Sequence, residues 1–430
     1  MNPPLKIAIA GLGTVGAGVL KLLQRNGPLV AARCGRELVV TAVSARARGR
    51  DRGAPLDGID WFDDAEEMAR RADCEVVVEL IGGVDGVARR VCEAAIAAGR
   101  HVVTANKALL AMHGTALARS AEEKGVTLGY EAAVAGGIPV IKSLREGLAA
   151  NRITRVYGIL NGTCNYILSN MRTSGRPFED VLSDAQKLGY AETDPSFDVD
   201  GVDAAHKLAI LAALAFGAEV NFGGVHIEGI RHVSPLDIAY AAELGFRIKL
   251  LGIARLTENG LEQRVHPCMV PIETPIAHVE GVFNAVVAEG DGVGKTVFEG
   301  RGAGEGPTAS AVVADLVDVV RGRTAPAFGV PSGKLAGLRA APMERHRGDY
   351  YVRLMVLDRP GVIADVAAAL RDENVSLESM LQRGRSPDET VPVVLTTHVA
   401  EEAGMTRALA RIAALKTVRE KPRMIRIEEF

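Results

Sequence analysis

The sequence predicts an α/β protein in three parts: a doubly wound parallel sheet, an α+β region and a C-terminal βαββαβ unit. Early in the chain, short apolar runs alternate with amphipathic stretches, which favours parallel strands covered by helices on both faces. From about residue 136, longer mixed elements replace that alternation. Residues 349–430 have a compact pattern of their own, in which strands and helices are interleaved.

The doubly wound sheet is predicted for residues 1–135, with strands at 6–10, 38–43, 75–80 and 101–104 and helices between them, for example at 15–24 and 85–98. The α+β region is predicted for residues 136–300. Its expected helices are 139–148, 202–215 and 236–249, and its expected strands are 152–160, 263–269 and 285–288. An apolar helix at 309–320 follows, and then a linker at 326–348 that is rich in Gly, Pro and Arg.

The C-terminal unit is predicted to be ferredoxin-like. A strand at 350–357 leads through Asp358-Arg359-Pro360-Gly361 into a helix at 362–373. Strands near 375–381 and 391–398, a helix at 405–414 and a strand at 422–427 complete the order βαββαβ.

Composition excludes several classes of protein. Of the 430 residues, 48% are hydrophobic and 24% are charged, which is typical of a globular protein. The net charge of −3 predicts no nucleic-acid partner, and the sequence has no apolar run of about 18 residues that would predict a membrane span. The first residues lack the pattern of a signal peptide, and the five cysteines are scattered without a CxxC pair, so we expect free thiols, no zinc site and a cytoplasmic location.

A glycine-rich turn follows the first predicted strand and opens a helix: Gly11-Leu12-Gly13-Thr14-Val15-Gly16. In this context the first glycine permits a tight turn, the second lets the backbone approach a pyrophosphate, and the third allows close packing of helix and strand. The alternative is a plain tight turn, since the chain has 47 glycines. Position after the first strand of a βαβ unit favours a Rossmann-like dinucleotide site.

The end of the second strand bears on the choice of dinucleotide. NAD-specific sites usually place an acidic residue there for the ribose 2′-hydroxyl, whereas this chain has Ser44 and Arg46. Because arginine can pair with a 2′-phosphate, we expect NADP to be favoured, with NAD possible. For Arg48 and Arg50 a solvated basic loop is the alternative interpretation.

Two lysines are candidates for proton chemistry. Lys107 follows the C-terminal end of a predicted strand, the edge at which doubly wound sheets bind ligands. Lys207 lies four residues after Asp203 and shares its helix face. An exposed ion pair is the commoner use of that spacing. The acidic loop from Gly189 to Pro195 could bind an ammonium group or be a solvated turn.

Four sequence blocks together resemble the homoserine dehydrogenase family over roughly residues 5 to 320. They are Thr104-Ala105-Asn106-Lys107; Leu160-Asn161-Gly162-Thr163-Cys164-Asn165-Tyr166-Ile167-Leu168; the loop 189–195 with Asp203 and Lys207; and Gly302-Ala303-Gly304 with Pro307-Thr308. The resemblance implies reversible, NAD(P)H-dependent reduction of L-aspartate 4-semialdehyde to L-homoserine, in the pathway to threonine, methionine and isoleucine. The C-terminal unit, with Asp358-Arg359-Pro360-Gly361-Val362, resembles an ACT domain.

The resemblance also implies residue roles. Lys207 is expected to be the catalytic acid and base, Lys107 to act on the reacting oxygen beside the cofactor, and Glu192 and Asp203 to bind substrate. Cofactor contacts are expected from Gly11, Leu12, Gly13, Thr14, Val15, Gly16, Arg46, Thr104, Lys107, Gly189 and Gly304. A monovalent cation, sodium, is expected on the carbonyl oxygens of Glu131, Val134, Gly136 and Ile138. From composition alone, that turn is a Gly-Gly hinge between domains.

Further implications concern organisation and control. The family pattern predicts that residues 301–325 return to complete the dinucleotide-binding domain, that residues 136–300 also serve dimerisation, and that the protein is a homodimer or homotetramer. The kinase domain of some relatives is not found, so we expect the monofunctional form. An ACT domain commonly binds a small amino acid, and threonine is the expected effector near Asp358 to Gly361. The alternative is a dimerisation module without ligand.

Two other functions stay open. One is a dehydrogenase or reductase for another amino-acid semialdehyde on the same scaffold, which the blocks at 161–168 and 192–207 disfavour. The other is a non-catalytic amino-acid sensor, which the presence of both Lys107 and Lys207 disfavours.

Overall fold

The structure, a computed structural model, describes residues 3–323, 325–383 and 389–430. Residues 5–129 form a parallel sheet flanked by helices: β1 (Leu5–Ala10), α1 (Thr14–Cys34), β2 (Leu38–Ser44), β3 (Asp60–Phe62), α2 (Ala65–Arg71), β4 (Val76–Glu79), α3 (Val87–Ala97), β5 (His101–Thr104), α4 (Lys107–Glu123) and β6 (Leu128–Gly129). The strand order is β3-β2-β1-β4-β5-β6, and neighbouring strands are parallel. This order confirms the predicted doubly wound, Rossmann-like fold.

The central strand β1 contributes to hydrophobic cores on both faces of the sheet. Leu5, Ile7 and Ile9 pack on one side with α1, and Ala8 and Ala10 pack on the other with α2 and α3. Successive strand residues point to opposite faces, so a strand covered on both sides is apolar along its whole length. That is why the sequence shows runs rather than alternation here.

Helix α1 is longer than predicted. The sequence places its end at residue 24, yet it continues through Gly27 and Pro28 and ends at Cys34. Gly35 has φ +77° and donates its backbone N–H to the Ala31 carbonyl at 2.8 Å. A left-handed glycine is a common helix terminator, and here it decides the end more firmly than the internal proline does.

Residues 140–320 supply the α+β part. Its elements are α5 (Val140–Lys142), β7 (Ile153–Ile159), α6 (Gly162–Ser174), α7 (Phe178–Lys187), α8 (Ser196–Val199), α9 (Val202–Phe216), β8 (Val225–Ile227), α10 (Pro235–Glu243), β9 (Phe246–Thr257), β10 (Gly260–Pro271), β11 (Phe283–Gly290), β12 (Gly294–Arg301) and α11 (Glu305–Val320). Helix α11 returns to the first sheet, where Val312 and Leu316 share a core with Val19 and Leu20 of α1.

The predicted helix over residues 236–249 is wrong in its second half. Helix α10 ends at Glu243, and β9 begins at Phe246. Gly245 between them has φ +85°, a conformation that stops the helix. The apolar residues that follow belong to a twelve-residue strand pairing with β10, so tertiary context overrides a helix-like pattern.

The predicted helix over residues 139–148 is also irregular. Only Val140–Lys142 is α-helical, and Ser143–Gly147 forms a π-helical turn. The Leu148 N–H donates to the Ser143 carbonyl at 2.8 Å, the wider spacing of such a turn.

The C-terminal unit confirms the predicted ferredoxin-like arrangement. Its elements are β13 (Arg347–Leu357), α12 (Val362–Asp372), β14 (Leu377–Gln382), β15 (Thr390–Thr397), β16 (Ala400–Glu401), α13 (Glu402–Ala413) and β17 (Arg423–Ile427). Strand β17 also pairs in parallel with β10, joining Cys268 to Arg426 and Met269 to Ile427. The α+β part and the C-terminal unit therefore share one mixed sheet, with the strand order β12-β11-β7-β9-β10-β17-β13-β15-β14.

A buried ion pair also connects the C-terminal unit to α10. Arg353 of β13 donates to both carboxylate oxygens of Asp237, at 2.7 and 3.3 Å, and the Tyr351 hydroxyl donates to the same group at 3.1 Å. Asp237 in turn closes a capping box with Ser234 at the start of α10.

Across the described ranges, no helix is both long and apolar enough to cross a membrane.

Candidate active site

The glycine-rich turn after β1 has the shape that a dinucleotide site requires. Gly11 has φ +101°, and a Cβ atom there would lie 2.6 Å from the Leu80 carbonyl oxygen. A Cβ at Gly16 would lie 2.1 Å from the Gly11 carbonyl oxygen. Gly13 is the N-cap of α1 and has open space around it. The turn is thus closed on the protein side and open toward the N-terminus of α1, where a pyrophosphate fits.

A groove of about 680 Å³ lies along this turn. It runs between the loops that follow β1, β2 and β4, the switch point at which such sheets bind ligands. Its lining includes Gly11, Leu12, Gly13, Ser44, Arg46, Arg50, Leu80 and Ile81. Thr14, Val15 and Gly16 form the first turn of α1 beside it. Arg46 is exposed at the end of β2, where the adenosine ribose of a dinucleotide lies.

Arg52 holds together the loop of residues 46–52, which carries four arginines, by hydrogen bonds to its backbone. Its guanidinium donates to the carbonyl oxygens of Ala47 and Arg50, the latter at 2.6 Å, and lies 5.3 Å from the centre of the Trp61 ring. The side chain of Arg52 is buried, unlike that of Arg46. The sequence did not distinguish this structural arginine from its exposed neighbours.

The two predicted lysines meet at one carboxylate. Lys207 Nζ lies 2.8 Å from Asp203 Oδ2, and Lys107 Nζ lies 2.7 Å from Asp203 Oδ1. Asp203 and Lys207 are buried on α9, whereas the side chain of Lys107, the first residue of α4, is 33% exposed. The pair spaced four residues apart is therefore a buried cluster rather than a surface ion pair.

The charges in this cluster shift one another. Burial lowers the pKa of Lys207 below its ordinary value of 10.5; Asp203 opposes that shift, and Lys107 adds to it. Burial also disfavours the charged form of Lys107, but the charge and hydrogen bond of Asp203, together with the charges of Asp198 and Glu192, raise the pKa of Lys107 overall. Although burial opposes it, the two ammonium groups hold the pKa of Asp203 well below its usual range. Lys107 is the more firmly charged lysine, and Lys207 the one closer to losing a proton.

Among the described residues, two groups accept hydrogen bonds from the Lys207 ammonium, which leaves one N–H donor available. An ammonium group has three N–H donors, and Lys207 uses two of them, on Asp203 Oδ2 and on the Leu160 carbonyl at 2.8 Å. The Leu160 carbonyl lies at the end of β7, so the strand itself fixes the lysine. No side-chain pattern in the sequence could reveal this backbone acceptor.

Asn161 and Asp198 are two site residues without a role in the sequence prediction. Asn161 caps α6 through its oxygen and donates its amide to Asp203 Oδ2 at 2.8 Å and to Asp198 Oδ1 at 2.7 Å. Burial, followed by the Asp203 charge, raises the pKa of Asp198. The three closely spaced aspartates at positions 198, 200 and 203 were a sequence signal for a polar network.

Thr104, a predicted cofactor contact, forms its hydrogen bonds with other residues of the protein. Its buried hydroxyl donates to Glu79 at 2.6 Å and accepts the Asn106 N–H at 3.0 Å. Asn106 then caps α4 through Leu109 N–H, so this chain of bonds sets the position of Lys107.

Glu192 lies in an exposed loop close enough to Lys107 to favour its charged form. Gln186 donates to the Glu192 and Thr193 carbonyls at 3.0 and 3.3 Å, which holds the loop. Gly189, with φ +75°, begins the loop after α7, and Gly304, with φ +119°, is the N-cap of α11.

The predicted cation turn, residues 131–138, is buried apart from Gly137. The Glu131 carboxylate accepts hydrogen bonds from the Ile141 and Lys142 N–H groups, each at 2.9 Å. The backbone carbonyl oxygen of Glu131, the predicted cation ligand, is not used in these two bonds. The Ile138 carbonyl already accepts the Val140 N–H at 2.8 Å. A Cβ at Gly136 would lie 2.3 Å from the Gly302 carbonyl oxygen, so the turn packs tightly on the loop before α11.

A glycine-rich dinucleotide groove, together with two lysines that share one carboxylate at the end of β5 in the same sheet, is typical of an NAD(P)-dependent oxidoreductase. Family models agree: residues 11–131 match the NAD-binding domain of homoserine dehydrogenase, residues 139–317 match homoserine dehydrogenase, and residues 350–417 match the ACT domain. The chain belongs to the homoserine dehydrogenase family.

Relatives match along the whole chain. Homoserine dehydrogenase of Pseudomonas aeruginosa is 48% identical over 99% of each chain, and that of Neisseria gonorrhoeae is 44% identical over 99% of each. The crystal structure of a homoserine dehydrogenase from Thiobacillus denitrificans is 47% identical, covers 99% of this chain and 98% of its own, and superposes with a TM-score of 0.92. A hyperthermophilic archaeal homoserine dehydrogenase in complex with NADPH is 25% identical, with a TM-score of 0.63, over 78% of this chain and 100% of its own.

Proposed function

We propose that the protein reduces L-aspartate 4-semialdehyde to L-homoserine with NADPH as the favoured cofactor, and catalyses the reverse reaction. The observation that carries this proposal is the buried Lys207–Asp203–Lys107 cluster. The reaction is the one for which the full-length relatives are named. The cluster contains the ammonium groups that could donate a proton and stabilise negative charge in that reaction.

The cofactor proposal rests on the groove and its arginines. The glycine turn and the α1 N-terminus would hold the pyrophosphate, and Arg46 would pair with the 2′-phosphate of NADP. The archaeal relative with NADPH supports the same choice. When bound, the reduced nicotinamide supplies the hydride. Gly189 and Gly304 would contact the cofactor from the loops before α8 and α11.

Lys207 would give the proton. Its third N–H is directed away from Leu160 and Asp203 and can donate to the substrate oxygen as negative charge develops there. In the reverse reaction the neutral amine takes the hydroxyl proton from homoserine. The lowered pKa of Lys207 favours that neutral form more than an exposed lysine would.

Lys107 and the acidic groups would hold the substrate. Lys107, kept charged by Asp203, would stabilise the same oxygen without releasing its own proton. Glu192 would bind the substrate ammonium group from the exposed loop. Asp203 would hold both lysines and contribute to the substrate site.

A monovalent cation, sodium, would bind the buried turn through carbonyl oxygens of Glu131, Val134, Gly136 and Ile138. Carbonyl oxygens are the ligands that hard cations prefer, and the Ile138 carbonyl keeps a second lone pair beside its hydrogen bond. Replacing sodium with tetramethylammonium should then lower the thermal midpoint of unfolding. An unchanged midpoint would count against the cation.

The C-terminal unit would sense an amino acid, with threonine as the effector. Gly361, with φ +95°, is the N-cap of α12, and a helix N-terminus favours a carboxylate. Initial rates should fall as threonine is raised through the millimolar range; constant rates would reject this effector.

We further propose that the protein forms a homodimer or homotetramer. A location in the reducing cytoplasm is consistent with its five free cysteines.

The substrate assignment is tested in the oxidation direction by comparing L-homoserine with L-2-amino-5-hydroxypentanoate, which is one methylene longer and, unlike the corresponding aldehyde, does not cyclise to an imine. A site built for the shorter chain should prefer it by roughly 10- to 200-fold in kcat/KM. Equal rates, or a preference for the longer substrate, would favour a different semialdehyde reductase.

A further inference from the structure

An aromatic ring lies next to the partly exposed ammonium group of Lys107. The Lys107 ammonium nitrogen lies 5.6 Å from the centre of the Phe197 ring. Asp203 holds the ammonium from the buried side, at 2.7 Å. Phe197 is 43% exposed as a residue, although a large apolar side chain is more often buried. A cation over an aromatic face is attracted by the ring quadrupole, so Phe197 and Asp203 hold Lys107 from two directions.

The backbone under Phe197 is fixed from both sides. Asp198 accepts the Asn161 amide at 2.7 Å, and its carbonyl accepts the Cys164 thiol at 3.2 Å. On the other side, Arg231 donates to Ser196 Oγ at 3.0 Å and to Asp200 at 3.1 Å. Helix α8 has only four residues, so these contacts determine where its phenylalanine lies.

A second layer of rings lies behind Phe197. The His206 ring is 5.5 Å from Phe197, tilted by 50°, and 4.4 Å from Phe222 on its other side. Burial lowers the pKa of His206, which keeps the ring neutral and adds no positive charge beside Lys107. The stack therefore supports Phe197 by packing alone.

We propose that Phe197 is a positioning residue, whose ring holds the Lys107 ammonium against Asp203 and limits its contact with bulk water. This inference rests on the proposed function, in which Lys107 stabilises the reacting oxygen. An ammonium that drifts or is more fully hydrated stabilises that oxygen less well, because positioned charges act most strongly where water is excluded. The loss would fall on turnover of the semialdehyde rather than on nucleotide binding.

The first test compares Phe197→Leu, Phe197→Tyr and Phe222→Leu. Leucine keeps an apolar side chain but removes the ring, and we expect kcat/KM for the semialdehyde to fall roughly threefold to thirtyfold, with KM for NADPH unchanged. Tyrosine keeps the ring and should restore kcat/KM to within about twofold of wild type. Phe222→Leu removes a ring from the same stack but none from Lys107, and should cost less than about twofold.

The second test separates the ring's electrostatics from its shape. Replacing Phe197 with mono-, di- and trifluorinated phenylalanine weakens the quadrupole in steps while nearly preserving volume. We expect the logarithm of kcat/KM to fall steadily along this series. A flat series, a Phe197→Leu enzyme with wild-type kcat/KM, or an equal loss in Phe222→Leu would overturn the proposal. Wild-type enzyme that does not reduce the semialdehyde would instead overturn the proposed function, and this inference with it.

Discussion

Asp203 and Lys207, one helical turn apart on α9, are joined by a 2.8 Å contact inside the protein, with 4% and 9% of their side chains exposed. The other Asp203 oxygen contacts Lys107 at 2.7 Å. Burying charges costs several kcal/mol per ion unless partners compensate, so a cluster of two cations and one anion is a poor device for stability alone. Lys107 lies at the carboxyl edge of the dinucleotide sheet, where such sheets bind ligands, and this position supports the proposed chemical role of the cluster.

Replacing Lys207 tests its role in proton transfer. Lys207→Ala removes the proposed proton donor, and kcat should fall by about 10²- to 10⁴-fold, the usual contribution of a general acid. Lys187→Ala is the matched control, because that lysine on α7 is 73% exposed. Steady-state rates with both reactants saturating provide the measurement. Turnover within twofold of wild type in Lys207→Ala would remove this lysine from the chemistry.

The pH dependence of homoserine oxidation tests the electrostatics of the cluster. Oxidation needs neutral Lys207, so kcat should rise with pH through a midpoint below 10.5, because burial lowers the pKa. Asp203→Asn removes the group that opposes this shift, so the midpoint should move to lower pH while kcat falls. A midpoint that moves upward in Asp203→Asn would contradict the assignment.

Arg46 should set the cofactor preference. Arg46→Ala removes a charged partner for the 2′-phosphate, and the ratio of kcat/KM for NADPH to that for NADH should fall by about 10- to 100-fold. The control is Arg48→Ala, since Arg48 lies 5.8 Å from the Trp61 ring in the same loop. An unchanged ratio in Arg46→Ala, or an equal change in both variants, would exclude this role.

The buried contact between Arg353 and Asp237 should support the junction of the C-terminal unit with α10. Arg353→Leu leaves the Asp237 carboxylate buried without its cation, so the free energy of unfolding should fall by about 3–5 kcal/mol. Denaturant unfolding measures this. Arg371→Leu, which removes an exposed ion pair with Asp372, is the control and should leave the midpoint unchanged. If both variants unfold at the wild-type midpoint, the contact has no structural importance.

Fold class could be read from the sequence because local patterns and tertiary structure agree in most elements. The apolar run of β1 and the glycine turn after it correctly predicted the first strand and a dinucleotide-binding domain, whereas the central place of β1 in the sheet comes from the structure. At residues 236–249 the local sequence pattern and the tertiary structure disagree. Gly245, in the left-handed conformation, ends helix α10, and the residues after it form β9 because they pair with β10. The two strands are joined by the short turn Glu258-Asn259, so their pairing is local, and Asn259-Gly260 was a turn signal in the sequence.

The site was predictable in part for a similar reason. Family-like blocks named Lys107, Asp203 and Lys207, and the structure brings these side chains within hydrogen-bonding distance. The Leu160 carbonyl and the ring of Phe197 were not predicted, because a backbone acceptor and a ring–cation contact depend on how β7 and α8 approach α9 and α4.

The most direct measurement is the absorbance of NADPH after L-aspartate 4-semialdehyde is added to the wild-type protein, repeated with NADH. The predicted result is rapid, stoichiometric oxidation of NADPH and slower oxidation of NADH. A folded sample that binds nucleotide yet oxidises neither cofactor would contradict the proposed reaction.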